Sequence, residues 1–326
     1  MPYITSSLDN KTIVITGGAG FIGSNLALYF QKHHPNANVI VLDKFRDQTP
    51  PSDSLGHFKN LLNFHGEIIT ADINHDLSAL KKINFDYLFH QAAISDTTQQ
   101  NQELVMRTNH QAFMKLLKIA DKKDARVIYA SSAGVYGNTP APNRVGFGEV
   151  PENVYGFSKL CMDKSAQAFA QESYGRIIGL RYFNVYGPGE FYKHKTASMI
   201  LQLGLQALQD QEVKLFEFGE QKRDFVYIED VIAANVKAIE APRSGVYNVG
   251  SGVARSYNDI VAILKQHLGD FKTTYIKNPY PFFQNHTCAD IEATCNDLDY
   301  TLRYSLEEGI KEYIPVIKEL ACKTGC

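Results

Sequence analysis

Residues Thr16–Gly23 read TGGAGFIG, directly after the apolar run Lys11–Thr16 (KTIVIT) and directly before the amphipathic run Ile22–His33. Each glycine in such a turn has its own physical use. Gly17 makes the tight turn, Gly20 lets the backbone approach a pyrophosphate, and Gly23 lets the next helix pack close to the sheet. The helix start also offers unpaired N–H donors to an anion. A lone glycine triplet says little, but strand before and helix after give the context that dinucleotide binding requires.

Working outward, short β-branched and aromatic runs recur at Asn38–Asp43, Glu67–Asp72, Tyr87–Ala93, Arg126–Ser132 and Arg176–Phe183. They read as buried strands. Helical patterns lie between them, as at Ile22–His33 and Met106–Lys122. The alternation predicts right-handed βαβ units and a parallel sheet covered on both faces. The expected fold is therefore α/β, a doubly wound parallel sheet of the Rossmann type. After Gly187 the pattern changes to an irregular loop, a helix over Ser198–Gln209, the segment VKLFEFGE, a strand running into a helix that carries Asp230, and further helices. We expect a second, smaller α/β lobe for a substrate. Residues 1–183 with about 225–255 would form the dinucleotide-binding domain, and about 184–224 with 256–326 the substrate lobe.

Asp43 ends the second strand about 20 residues beyond the glycines, where a carboxylate would hold the ribose 2′-OH of NAD. Lys44 and Arg46 follow at once, and cations there could take the 2′-phosphate of NADP. A solvated charged turn is an alternative account of those two residues.

The chain's 326 residues exceed what one core usually serves. Thirty-three basic against 35 acidic residues leave no electrostatic footprint for nucleic acid or an anionic membrane. No apolar run approaches the roughly 20 residues of a membrane span. The amino terminus lacks a signal peptide's apolar core. The five scattered cysteines contain no CxxC pair, so neither a disulfide framework nor a metal site is expected. A reducing cytoplasm fits this cysteine usage.

Asn153–Lys159 reads NVYGFSK, which puts Tyr155 and Lys159 four apart on one face of a helix expected over Tyr155–Glu172. A free phenol near pKa 10 is a poor base at neutral pH. An adjacent ammonium and a positive nicotinamide ring would stabilise its phenolate. Ser132, in YASSAGVYG, stands at a strand end where a hydroxyl could hold the substrate oxygen.

In the order TGGAGFIG, HQAA, YASSAGVYG, YGFSK, RYFNVYGP and RDFVYIEDV, the chain resembles the nucleotide-sugar branch of the extended short-chain dehydrogenase/reductase superfamily. The resemblance covers nearly the whole chain. It implies oxidation of a sugar carbinol by tightly held NAD(P), followed by divergent steps. Dehydratases of that branch carry an acidic pair beside the serine position, whereas Ala133 and Gly134 follow Ser132 here. Dehydration is therefore disfavoured. Cofactor contacts implied by the resemblance are Gly17, Gly20, Phe21, Ile22, Gly23, Asp43, Lys44, Arg46, Asp72, Ile73, Gln91, Ala92, Ala93, Asn109, Lys159 and Val185.

The loop Gly187–Met199, GPGEFYKHKTASM, is similar to that of the ADP-glyceromanno-heptose 6-epimerases. Laid without gaps from Glu190, their pattern puts a second catalytic residue on Lys193 and a substrate contact on Lys195. A two-residue slide would exchange the lysines' roles. His194 stands where those enzymes usually have glycine, and Thr196 where they have methionine. Asn184, Gln202, Phe216, Gly219, Arg223 and Phe283 fall on further substrate positions, the last where tyrosine is common. Plain apolar packing is an equal account of Phe216 and Phe283. The resemblance implies C6 inversion of ADP-D-glycero-β-D-manno-heptose for lipopolysaccharide core synthesis. It also implies NADP, with NAD the alternative, and a homo-oligomer such as a pentamer. A UDP- or GDP-hexose 4-epimerase is the first rival reading. A non-catalytic NAD(P)-binding sensor is the second, and keeping Ser132, Tyr155 and Lys159 speaks against it.

Overall fold

The run before the glycine-rich turn forms a strand, β1 (Thr12–Thr16), in which Ile13, Val14 and Ile15 are wholly buried. The structure is a computed structural model that describes residues 2–45, 56–75, 77–173, 175–210, 212–277 and 286–324. The later strands are β2 (Asn38–Asp43), β3 (Glu67–Thr70), β4 (Tyr87–His90), β5 (Arg126–Ser132), β6 (Ile177–Tyr182), β7 (Asn184–Tyr186), β8 (Glu212–Phe216), β9 (Lys222–Tyr227), β10 (Gly245–Val249), β11 (Ala254–Ser256) and β12 (Lys272–Ile276). The helices are α1 (Phe21–His33), α2 (Ser78–Lys82), α3 (Gln102–Val105), α4 (Ala112–Asp121), α5 (Val154–Phe169), α6 (Met199–Gln209), α7 (Ile228–Lys237), α8 (Tyr257–Leu268), α9 (Glu292–Leu298) and α10 (Leu306–Thr324).

The main sheet has the order β3-β2-β1-β4-β5-β6-β10 with every pairing parallel. Its strands are apolar on both sides because helices cover both faces. Ile13, Ile15 and Val41 pack with Phe30 on one face, while Val14, Ile40 and Leu42 pack with Leu116 and Met162 on the other. The order reverses between β1 and β4, and a crevice opens at the carboxyl ends of those strands.

Two small sheets, β11-β9-β7 and β12-β8, flank this core with α6, α8 and α10. Leu203, Leu264 and Ile317 from those helices belong to the same apolar cluster as Ile13 and Phe30. The buried Asp230 carboxylate accepts the backbone N–H groups of Arg303 and Tyr304 at 3.1 and 3.2 Å, tying α7 to the segment before α10. Among the described residues, no helix is long and apolar enough to cross a membrane.

Several boundaries differ from the sequence expectation for identifiable reasons. β3 and β4 stop at Thr70 and His90, because the chain there leaves the sheet to line the crevice. The regular helix expected over Met106–Lys122 is interrupted by a π-helical turn at Met106–Gln111, a distortion that periodicity alone does not signal. The helix begun at Tyr155 ends at Phe169, short of Glu172. Strands β7, β10, β11 and β12 went unread. β7 and β11 are only three residues long, and β12 is half polar.

The glycine-rich turn is tighter than its sequence requires of any one position. Gly17 has φ +69°, and a Cβ there would lie 2.5 Å from the Ala92 nitrogen. A Cβ on Gly23 would lie 2.3 Å from the Gly17 carbonyl oxygen. Gly23→Ala should therefore cost about 1–3 kcal/mol by overpacking. Urea unfolding of the cofactor-free protein measures this, and an unchanged midpoint would show that α1 can shift at no cost.

Candidate active site

One cleft at the β1/β4 switch point is lined by Gly17, Gly20, Phe21, Ile22, Gly23, Asp43, Lys44, Asp72, Ile73, Gln91, Ala92, Ala93 and Val185. Among the described residues no side chain caps the start of α1, and its first turn holds no acid. Its N–H groups are thus available to an anion. Asp43 is buried, accepting the Ala19 N–H at 2.9 Å on one oxygen and the Phe45 N–H at 2.8 Å on the other. Burial pushes its carboxyl pKa up, opposed by those hydrogen bonds. Lys44 lies 3.7 Å from Asp72 across the same wall. A dinucleotide fits this donor set. Arg46 lies outside the described residues.

Asn109 does not line the cleft. The π-helical turn directs Thr108 into it instead, and Asn109 turns inward. There its amide accepts the Ile94 N–H at 2.9 Å and donates to the Ile94 carbonyl at 3.0 Å and to Ser158 Oγ at 2.9 Å. It fixes the cleft wall to α5 rather than facing a ligand.

Ser132, Tyr155 and Lys159 all line the cleft. Asn153 caps α5 by accepting the Gly156 N–H at 2.9 Å, which sets Tyr155 in the first turn. A Cβ on Gly156 would strike the Gly134 carbonyl at 2.3 Å, so glycine is what lets the helix start lie against the Ser132 turn. Burial raises the Tyr155 pKa, and the Ser132 hydroxyl acts to lower it. Lys159 is buried and donates to the Ala130 carbonyl at 2.7 Å. Its Nζ stands 5.9 Å from the Tyr155 ring centroid. Burial pulls its pKa down to about 8, against the opposing pull of Asp163. Asp163 itself is engaged by Arg181 Nε at 2.8 Å, Ser131 Oγ at 2.9 Å and Tyr129 OH at 2.9 Å.

The two lysines of the loop part company. Lys193 lines the cleft, with its Nζ 5.4 Å from the Phe21 ring centroid. Burial lowers its pKa, and the nearby Glu190 carboxylate acts to raise it. Lys195 is 76% exposed and pairs with Asp96 at 3.0 Å. Between them His194 adopts φ +48°, ψ −120°, a kink that turns consecutive cations to opposite sides. Glu190 is fully buried and accepts from Gly187 N, Ser198 N and Ser198 Oγ.

The remaining substrate positions lie off the cleft. Asn184 precedes the lining residue Val185, and Gln202 donates to the Ala197 carbonyl at 2.7 Å, anchoring the end of the loop. Phe216, Gly219 and Arg223 gather at the start of α8. Gly219 donates its N–H to Phe216 and accepts that of Asn258, and the Arg223 guanidinium stands 5.9 Å from the Tyr257 ring centroid. Phe283 lies outside the described residues. Cleft residues not named as contacts from the sequence include Ser95, Ser131, Phe183 and Thr196. Ser131, Phe183 and Thr196 lie inside the quoted motifs, whereas nothing in the sequence marks Asp96 as the partner of Lys195.

The profile of the NAD dependent epimerase/dehydratase family matches residues 13–250. The chain is 33% identical to the ADP-L-glycero-D-manno-heptose-6-epimerase of Brachyspira hyodysenteriae, over 94% of this chain and 98% of that one. It is 37% identical to the enzyme of the same name from Cupriavidus pinatubonensis, over 93% and 97%. Among solved structures, the ADP-L-glycero-D-manno-heptose-6-epimerase of Helicobacter pylori is similar with a TM-score of 0.92 and 66% identity, covering 98% of this chain and 99% of that one. The UDP-glucuronic acid 4-epimerase of Bacillus cereus, in complex with UDP-glucuronic acid and NAD, is similar with a TM-score of 0.82 and 29% identity, over 95% and 99%.

The geometry around Lys159 predicts a pH dependence. Its ammonium is present below a pKa of about 8 and is lost as pH rises through it. If that charge supports the Tyr155 phenolate, turnover should decline on the alkaline side with an apparent pKa near 8. A pH profile of kcat checks this, and a flat profile to pH 10 would remove the ammonium from the mechanism.

Proposed function

The chain belongs to the NAD dependent epimerase/dehydratase family and, within it, to the ADP-L-glycero-D-manno-heptose-6-epimerases, and we propose that it inverts C6 of ADP-D-glycero-β-D-manno-heptose to give the L-glycero epimer. The observation that carries this reading is the entry of Lys193, and not Lys195, into the cleft that holds Tyr155. A nicotinamide cofactor, which would be held by the glycine-rich turn and Asp43, would supply the redox chemistry of carbinol oxidation and ketone reduction when bound.

The chain's residues handle the oxygen and its proton. C6 is exocyclic, so inversion at a fixed hydride donor swings the oxygen from one protein group to another. Tyr155, with Ser132 beside it, serves one orientation by taking or giving the hydroxyl proton, and Lys193 serves the other. Lys159 holds positive charge near the phenol. Burial brings the lysine pKa toward the working pH, as acid/base exchange requires.

The reading extends to finer points on other support. NADP rather than NAD is proposed from the family resemblance, with Lys44 and Arg46 beside Asp43 as cations that could take a 2′-phosphate. Residues 1–183 with about 225–255 hold the cofactor, and the remainder holds the sugar nucleotide. Arg223 meets the diphosphate, a use suited to a guanidinium fork, and Phe216–Gly219 lie toward the nucleotide. Asn184, Gln202 and Lys195 complete the substrate surroundings. A cytoplasmic homo-oligomer, a pentamer, serving lipopolysaccharide core synthesis is proposed from the family resemblance.

Incubation of purified protein with ADP-D-glycero-D-manno-heptose, followed by proton NMR, tests the reading. The L-glycero epimer should appear without added cofactor. Absence of conversion even with NADP and NAD supplied would sink the heptose assignment and send the search to UDP- and GDP-hexoses. Lys193→Ala should lower kcat by about 10²–10⁴-fold, the usual contribution of a positioned acid/base group. Lys195→Ala should leave kcat within about threefold, since an exposed ion pair contributes little.

A further inference from the structure

The loop that carries Lys193 does more than span the two lobes, because it is fastened to the cofactor domain on both sides of that lysine. On one side Tyr192 stacks on His57, with ring centroids 3.7 Å apart and planes 4° from parallel. On the other, Lys195 pairs with Asp96 at 3.0 Å. Nearer the loop's start, Asn25 of α1 donates to the Pro188 carbonyl at 3.0 Å.

His57 is in turn part of the cofactor cradle. Its backbone N–H donates to the Ala19 carbonyl at 3.0 Å, and Asn60 Nδ2 donates to the same oxygen at 3.1 Å. Ala19 lies within the glycine-rich turn, and its own N–H is held by Asp43. A short physical chain therefore runs from the Asp43 carboxylate through Ala19 and His57 to the Tyr192 ring, one residue from Lys193. The Lys193 ammonium closes the circuit over Phe21, the first residue of α1.

We infer that Tyr192 and His57 are positioning residues, an aromatic clasp that ties the location of the Lys193 ammonium to the turn that receives the cofactor pyrophosphate. Neither ring is asked to touch the reacting atoms. The inference rests on the reading of Lys193 as the second acid/base group. The backbone at Lys193 is followed at once by the left-handed kink of His194, so it is set from the Tyr192 side. Misplacing a reacting group by about 1 Å can cost about 100-fold in rate, which makes such a clasp consequential without direct contact.

The test is a mutant cycle on the cofactor-loaded enzyme, read as kcat and KM for ADP-D-glycero-D-manno-heptose. Tyr192→Leu should lower kcat by about tenfold or more with KM changed less than about threefold. Tyr192→Phe and His57→Phe, which keep a stacking ring, should each retain most of the rate and guard against a mere failure to fold. Combined with Lys193→Ala, Tyr192→Leu should cost nothing further. Two outcomes overturn the clasp while leaving the lysine reading intact: Tyr192→Leu at the unmodified rate while Lys193→Ala is slow, or an undiminished additional loss in the Lys193→Ala background. An unimpaired Lys193→Ala enzyme sinks the lysine reading itself, and the clasp with it.

Discussion

A buried carboxylate, Glu190, sets the shape of the loop on which the site depends. Its two oxygens accept the N–H of Gly187 at one end of the loop and the N–H and hydroxyl of Ser198 at the other. Ser198 is also the cap of α6, and the Tyr313 phenol of α10 lies beside the carboxylate. One side chain thus joins the end of β7 to the start of α6, with α10 packed beside it. Burying a carboxylate without such donors would be prohibitive. With them, it closes a loop that carries a short 3-10 turn over Phe191–Thr196, itself bonded from Lys193 N–H to the Glu190 carbonyl and from Ala197 N–H to the His194 carbonyl.

The same arrangement appears twice around the cleft. Lys159 has Asp163 one helical turn away, and Lys193 has Glu190 three residues away. In each case the carboxylate is buried and its oxygens are occupied by other donors: Arg181, Ser131 and Tyr129 at Asp163, Gly187 and Ser198 at Glu190. Among the described residues neither lysine forms a direct ion pair, yet each has negative charge near enough to oppose desolvation. A bare buried ammonium would lose its proton, and a tightly paired one would keep it far above neutrality. An ammonium beside an already occupied carboxylate falls between these limits: burial draws its pKa down and the nearby charge opposes the fall.

The parts of this site that sequence could reveal are those governed by local rules. TGGAGFIG specifies a turn whose tolerances are set within a few residues, and Tyr155 and Lys159 share a helix face by periodicity. The strands were readable because a doubly covered sheet demands continuous apolar runs. What escaped was set by tertiary contact. The inward turn of Asn109 follows from a π-helical distortion that makes no mark on hydrophobic spacing. The division between Lys193 and Lys195 follows from a positive φ at His194, a residue type that does not announce such a conformation, and from a partner, Asp96, almost 100 residues earlier. Gapless alignment pointed to Lys193, and it is that lysine, rather than Lys195, that lines the cleft in the fold.

The cleft's two halves carry different information. A cradle of glycines, Asp43 and the Ser132–Tyr155–Lys159 group would serve any enzyme that oxidises a sugar carbinol, and the rival 4-epimerase reading shares all of it. Where the ketone could turn, and which group would meet its oxygen afterwards, depends on what the loop after β7 puts into the cleft. An inversion inside a ring keeps the oxygen close to the ring plane, so one phenol can follow it. At an exocyclic carbon the oxygen sweeps a wider arc around the C5–C6 bond, beyond the reach of a side chain fixed on α5. A second group must therefore arrive from another direction, on a backbone anchored independently of that helix. The loop closed by Glu190 and held to the glycine-rich turn meets both conditions. It carries Lys193, which lines the same cleft as Tyr155 and is the second group that the proposed inversion would use.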